Sequence, residues 1–176
     1  MFKVALIGHS LLPSDFFALP DVTVSVFRKP GGTWLDDNCR EYEEFWHNNY
    51  DLAIVVLGGN DLAFVDHLTA IQRAKEFVNK IKGRVGQIRV YTVEPRDYAV
   101  NNRFGVSTLE FLRRRRKYNR VLKRWLKADG HRHVDIGKPW IVNERSRDGV
   151  HFNQEAVRNF KRSIAKVILG VKGSLE

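Results

Sequence analysis

The sequence predicts a three-layer α/β domain, with helices on both faces of a mostly parallel sheet. Short apolar runs alternate with amphipathic segments along the chain, which is the order of strands joined by crossover helices. The run LAIVVL at residues 52–57 is apolar throughout, as expected of a central strand covered on both faces. The 176 residues suffice for one domain. We assign residues 1–172 to it and set residues 173–176 aside as an expression remnant.

Each predicted strand is a short apolar or β-branched run that ends at a turn signal. The first strand stops at Gly8, the second stops before the sequence KPGG, and the third is bounded by Gly58 and Gly59. Glycine and proline are the strongest local signals that a regular element ends. The expected strands are residues 3–7, 22–27, 52–57, 88–93 and 133–136.

Four segments carry apolar residues at the spacing of one helix face. In the second of them Ile71, Ala74 and Phe77 recur at this spacing, with basic residues between them. The expected helices are residues 36–48, 68–81, 109–127 and 153–169. In a sheet built this way ligands bind at the carboxyl ends of the strands, so we expect a functional site in the loops after them.

Four short segments just after predicted strands contain the residue types of an acyl-transfer site. A serine hydroxyl becomes a good nucleophile when an imidazole takes its proton and a carboxylate holds that imidazole. The oxyanion that forms needs hydrogen-bond donors already aimed at it. Residues that meet these needs by type are Ser10, Gly31, Asn60, Asp148 and His151.

These segments, in this order, resemble the blocks of the SGNH (GDSL-like) hydrolases. Ser10 corresponds to the nucleophile, Gly31 in preference to Gly32 to the oxyanion glycine, and Asn60 to the oxyanion asparagine. Asp148 and His151 correspond to the Asp-x-x-His pair that completes the triad. The resemblance implies a flavodoxin-like α/β/α sandwich, no metal or organic cofactor, and hydrolysis of carboxylic esters through an acyl-enzyme on Ser10. The Ser10 backbone N–H would join Gly31 and Asn60 in the oxyanion hole.

One residue departs from the family pattern, because His9 stands where the first block usually has aspartate. The Gly-x-Ser-x-Gly motif of the α/β-hydrolases is absent, since Leu12 occupies the second glycine position. The chain also resembles the esterase-type domains of animal retroelements, through its Gly-Val-His-Phe segment at residues 149–152 and its arginine-rich helix.

Each candidate residue also has a structural interpretation. Ser10 is equally a turn residue, Asn60 suits the cap of a following helix, and Asp148 suits a loop that binds backbone N–H groups. His131 and His133 have no nearby carboxylate or cysteine pattern that predicts a metal site. We therefore interpret them as a solvated turn residue and a strand residue.

The net charge of +10 is concentrated in the predicted helix 109–127. Glu110 is the only acidic residue there, whereas Lys and Arg occupy nine positions, which are Arg113, Arg114, Arg115, Arg116, Lys117, Arg120, Lys123, Arg124 and Lys127. Such a helix is either a solvated face or a surface for nucleic acid or anionic membranes. A nucleic-acid partner would contact Arg113, Arg115, Arg116, Arg120 and Arg124.

The lone Cys39 excludes an internal disulfide, and no apolar run approaches the roughly 20 residues that cross a bilayer. We therefore expect a cytoplasmic protein, and the resemblance implies that it acts on a small-molecule or lipid ester. An acetyl or other short acyl group is expected. Two other functions stay open at this point, an inactive fold that binds polyanions through the basic helix and an acyltransferase.

Overall fold

A computed structural model describes residues 1–98, 105–137 and 149–176. Its five strands form one sheet in which every neighbouring pair is parallel. The order is β2-β1-β3-β4-β5, which is the flavodoxin-like order. The predicted fold class is therefore confirmed. The strands are β1 (Phe2–Gly8), β2 (Val22–Arg28), β3 (Tyr50–Val56), β4 (Val85–Tyr91) and β5 (Arg132–Val134).

Helices cover both faces of this sheet. They are α1 (Gly59–Leu62), α2 (His67–Ile81), α3 (Thr108–Ala128) and α4 (Gln154–Ser174), together with a 3₁₀ helix at Arg40–His47. Helices α2 and α3 agree with the sequence prediction to within one residue at each end. Helix α4 continues through Ser174, past the domain boundary expected at residue 172.

The prediction of a helix over residues 36–48 was wrong in its bounds and type. The segment forms a 3₁₀ helix, in which side chains three residues apart lie on one side. Tyr42 and Phe45 have this spacing, and both are buried in the core. The prediction that a strand reaches Val93 was also wrong, because the Asn119 side chain bonds both the N–H and the C=O of Val93.

Alternate residues of the central strands point to opposite faces of the sheet, as strand geometry requires. In β1, Ala5 and Ile7 pack towards α2 and α3, whereas Val4 and Leu6 pack towards α4. All four side chains are at most 1% exposed. The continuous apolar runs in β1 and β3 therefore fill two cores, one on each side of the sheet.

Strand register brings the candidate loops to one edge of the sheet. Gly8, the last residue of β1, pairs with Arg28 of β2 and with Val56 of β3. The chain leaves all three strands at nearly the same level, so the loops that carry Ser10, Gly31 and Asn60 start side by side. Among the described residues, no helix has the length and apolar character that crossing a bilayer requires.

Candidate active site

The loop after β1 is a tight turn that holds Ser10 half-exposed at the edge of the sheet. The His9 N–H donates to the Val56 carbonyl at 3.1 Å, and the Leu12 N–H donates back to the His9 carbonyl at 3.1 Å. Arg28 Nη2 donates to the Ser10 carbonyl at 3.1 Å. A side chain at Gly8 would collide with the Val56 backbone. These contacts fix the backbone on both sides of Ser10.

His9 is buried and neutral. Its Nδ1 accepts the Leu11 N–H at 3.2 Å, so the ring proton lies on Nε2. Burial lowers the pKa of His9 to about 4. The Glu94 carboxylate opposes this shift, whereas the guanidinium groups of Arg96 and Arg28 add to it. The residue that replaces the family's aspartate thus supports the turn as an uncharged hydrogen-bond acceptor.

The loop after β2 forms a turn in which the Gly32 N–H donates to the Lys29 carbonyl at 2.8 Å. Gly31 occupies the position of this turn that needs a left-handed backbone, with φ of 72° and Pro30 before it. The Gly32 N–H is consumed by the turn, whereas no acceptor for the Gly31 N–H lies among the described residues. This difference favours Gly31 over Gly32 as an oxyanion donor.

Asn60 lies in the first turn of α1, and its side chain bridges two loops. Its Nδ2 donates to the Gly32 carbonyl at 2.9 Å, and its Oδ1 accepts a hydrogen bond from Arg96 Nη1 at 3.0 Å. Gly58, not Asn60, is the N-cap of α1, and no side chain caps this helix. The capping interpretation of Asn60 is therefore wrong. A side-chain amide has two N–H groups, so one remains for a ligand.

Asp61 links the loop after β2 to the loop after β3. Its carboxylate accepts the Trp34 N–H at 3.2 Å and Arg73 Nη1 at 3.3 Å, and it is fully buried. Burial raises the pKa of Asp61 to about 6, although the hydrogen bonds from Trp34 and Arg73 act in the opposite direction. This link holds the turn that contains Gly31 beside α1.

A buried ion pair in the loop after β4 supports the site, and the sequence interpretation missed it. Arg96 Nε lies 2.6 Å from Glu94 Oε1, and both side chains are 1% exposed. Arg96 also donates to the Tyr98 hydroxyl at 3.1 Å. Burial would raise the pKa of Glu94, but Arg96 holds it below its ordinary value. The signal that could have drawn attention to this pair is its position, because Glu94 and Arg96 directly follow a predicted strand, where a parallel sheet binds its ligands.

His151 precedes α4 and is half-buried. It interacts electrostatically with His9, the residue next to Ser10. The segment is anchored by the Asp97 N–H, which donates to the Gly149 carbonyl at 3.1 Å. A Cβ at Gly149 would collide with the Asp97 carbonyl. Asp148, the expected third member of the triad, lies outside the described residues.

The structure thus brings most of the predicted site residues to one edge of the sheet. Asn60 and the Gly31–Gly32 turn are in direct contact, and Ser10 follows the strand between their strands. The arrangement presents a serine hydroxyl, an imidazole and N–H donors at the carboxyl ends of parallel strands. These are the groups that acyl transfer requires.

Comparison with protein families identifies the class of protein. Residues 18–158 match the GDSL-like Lipase/Acylhydrolase family. The match covers more than half of the chain, so the chain belongs to this family, and the expected SGNH-type hydrolase is confirmed. Ser10 precedes the matched range, so the match does not include the expected nucleophile. No curated protein matches the chain.

Solved structures of low sequence identity share the fold. A GDSL-like lipase from Bacteroides thetaiotaomicron is 17% identical with a TM-score of 0.77, over 96% of this chain and 88% of its own. A carbohydrate acetylesterase family member from Sinorhizobium meliloti is 17% identical with a TM-score of 0.76, over 98% and 100%. The M. smegmatis aryl esterase is 17% identical with a TM-score of 0.74, over 97% and 100%.

Proposed function

We propose that this hydrolase is a serine esterase that cleaves carboxylic esters, with an acetyl or other short acyl group, through an acyl-enzyme on Ser10. His151 takes the proton of the Ser10 hydroxyl as its oxygen attacks the ester carbonyl, and Asp148 supports the imidazolium. The N–H groups of Ser10 and Gly31 and the Asn60 amide hold the oxyanion. His151 then protonates the leaving alcohol, and water cleaves the acyl-enzyme by the reverse proton path.

The observation that carries this proposal is the fixed orientation of the Asn60 amide. A guanidinium can only donate and a backbone carbonyl can only accept, so Arg96 and Gly32 determine which end of the amide is which. Donors that need not reorganise are the ones that stabilise a developing oxyanion strongly.

A fluorophosphonate probe tests the nucleophile. Only a base-activated serine attacks phosphorus at a useful rate, so the wild-type protein should become labelled at Ser10. Ser10→Ala and His151→Ala should each abolish labelling, and Asp148→Asn should reduce it strongly. Ser14→Ala is the matched control and should label like the wild type. A folded protein that resists the probe and cleaves no p-nitrophenyl ester from acetate to palmitate would contradict the proposal.

Acyl transfer to an acceptor other than water stays an alternative. Adding alcohols of increasing size to the p-nitrophenyl acetate assay tests it, because a transferase would form the new ester in preference to acetate.

A nucleic-acid partner for α3 also stays a prediction. Arg116, Arg120 and Arg124 are exposed, and none has an acidic partner among the described residues. Phosphate neutralisation makes affinity fall steeply with salt. Anisotropy with a labelled oligonucleotide should show binding that weakens with salt. Replacing Arg113, Arg115 and Arg116 by Glu should abolish this binding and leave ester hydrolysis intact.

The cytoplasmic location and the single domain over residues 1–172 stay predictions as well.

A further inference from the structure

A cavity of about 610 Å³ opens between α3 and the loops that follow β4 and β5. It is separate from the loop that carries Ser10, since β3 and β4 lie between β1 and β5 in the sheet. Its cationic lining residues are Arg115, Arg116, Arg120, Lys123 and Arg124. Asp135 is the one acidic residue of the lining, and its Oδ1 lies 3.2 Å from Lys123 Nζ. The described walls therefore carry a large excess of positive charge.

Arg115 is held against the loop that follows β4. Its side chain is half-buried, and its Nε donates to the Val93 carbonyl at 2.7 Å. No carboxylate within the described ranges forms an ion pair with it. Burial lowers the pKa of Arg115, and Glu94 offsets only part of that shift. A partly desolvated guanidinium without a paired anion is unfavourable, so an anion in the cavity would stabilise it.

Polar side chains on the floor of the cavity already form hydrogen bonds within the protein. Asn119 bonds both backbone groups of Val93, and Thr92 Oγ1 accepts the Ile136 N–H at 3.0 Å. These residues therefore do not neutralise the cations, but they make the floor rigid. Arg116, Arg120 and Arg124 follow one another at intervals of four residues, so they lie along one side of α3. Their guanidinium groups have no intramolecular acid to bind in the described chain.

We propose that this cavity binds the phosphate group of a small phosphorylated molecule, with Arg115 and Arg120 as the principal ligands. Arginine suits phosphate because its planar fork donates two parallel hydrogen bonds to two phosphate oxygens. The volume lies in the range of small-ligand sites, roughly 300 to 1,000 Å³. The cavity also opens at the carboxyl ends of β4 and β5, where parallel sheets bind ligands. These observations favour a small ligand in the cavity over a polyanion spread along α3.

Calorimetry with inorganic phosphate and with glucose 6-phosphate tests the site, with glucose as the uncharged control. Both phosphates should bind at one site per chain, and glucose should not. Arg115→Gln should weaken binding by at least about tenfold, because charge-assisted hydrogen bonds are lost. Arg116→Gln/Arg120→Gln should weaken it comparably, and since both residues are exposed, this variant guards against a loss caused by misfolding.

Arg113→Gln is the matched control, since Arg113 lies on the same helix and pairs with Glu110 outside the cavity. It removes the same charge and should change phosphate affinity less than about twofold. If Arg113→Gln weakened phosphate binding as much as Arg115→Gln does, the effect would come from the overall charge of α3. That result would overturn the proposal. Binding of an oligonucleotide without binding of either small phosphate would overturn it as well, and so would the absence of phosphate binding. None of these results depends on ester hydrolysis.

Discussion

Arg96 Nη1 donates a 3.0 Å hydrogen bond to Asn60 Oδ1 and fixes the orientation of that amide. The same guanidinium is held by Glu94 at 2.6 Å, and neither charged side chain is exposed. A buried ion pair adds little stability compared with apolar residues, but losing one partner is costly. Its value here lies in geometry, because it holds the amide that we propose as an oxyanion donor.

This relationship predicts that Arg96 acts through Asn60. The double variant Glu94→Gln/Arg96→Gln removes both charges together, so no unpaired buried charge remains. We expect kcat to fall about tenfold or more with little change in KM, since a mobile amide stabilises the transition state less well.

A double-mutant cycle separates this positioning effect from general damage. In an Asn60→Ala background the same double variant should cause almost no further loss of kcat, because the amide to be positioned is gone. Independent, multiplying losses would show that the ion pair acts by another route.

Asn60→Ala itself should lower kcat by about 10² to 10³, the usual cost of removing one oxyanion donor, and leave KM nearly unchanged. Steady-state kinetics on p-nitrophenyl acetate measure both constants. A loss under about threefold in a protein that melts like the wild type would assign the oxyanion role elsewhere.

His9 should make stability depend on acid pH. Its folded pKa of about 4 lies below the ordinary 6.5, so the unfolded chain binds the proton more readily between these values. The contribution of the neutral imidazole to the free energy of unfolding is fully present above pH 6.5 and is lost as the pH falls towards 4. His9→Asn keeps an acceptor for the Leu11 N–H but does not titrate. As the pH falls from 6.5 to 4, the free energy of unfolding of the wild type should therefore decrease by about 3 kcal/mol relative to that of this variant. Chemical unfolding at several pH values measures both. Curves that stay parallel would contradict the buried, neutral state.

Asp61 should have the opposite effect. Its folded pKa of about 6 lies above the ordinary 3.8, so the folded protein holds this proton more tightly. The contribution of Asp61 to stability should fall as the pH rises from about 4 to 6. Asp61→Asn keeps an acceptor for the Trp34 N–H but does not titrate. Its free energy of unfolding should therefore rise by up to about 3 kcal/mol relative to that of the wild type as the pH rises over that range. Unfolding free energies measured at several pH values would reveal whether this relative gain occurs.

Much of the fold follows from the sequence because burial leaves a periodic signal. The apolar run in β3 and the amphipathic patterns of α2 and α3 reflect which faces are covered, and their predicted positions are nearly right. The strand bounds near Val93 could not be predicted, since they depend on the Asn119 side chain, which is distant in sequence. Likewise, local spacing does not distinguish a 3₁₀ helix from an α-helix when only Tyr42 and Phe45 define the buried side.

The candidate site was predicted from residue types and their order, which carry chemistry but not contacts. Ser10, Gly31 and Asn60 follow strands that are neighbours, and a parallel sheet brings such positions together. Arg96 was missed because its role depends on where its side chain reaches, 36 positions away from Asn60. The neutrality of His9 was equally hidden, because it comes from complete burial and from the Leu11 N–H.

The shortness of β5 affects how the protein meets other molecules of its kind. β5 is the last strand of the sheet and pairs only three of its residues with β4. A free strand edge can recruit a strand from another chain, and long apolar edges do so most readily. β5 offers only a brief edge, and Arg132 places an exposed charge on it. The short edge and its exposed charge therefore both disfavour edge-to-edge aggregation on this side of the sheet.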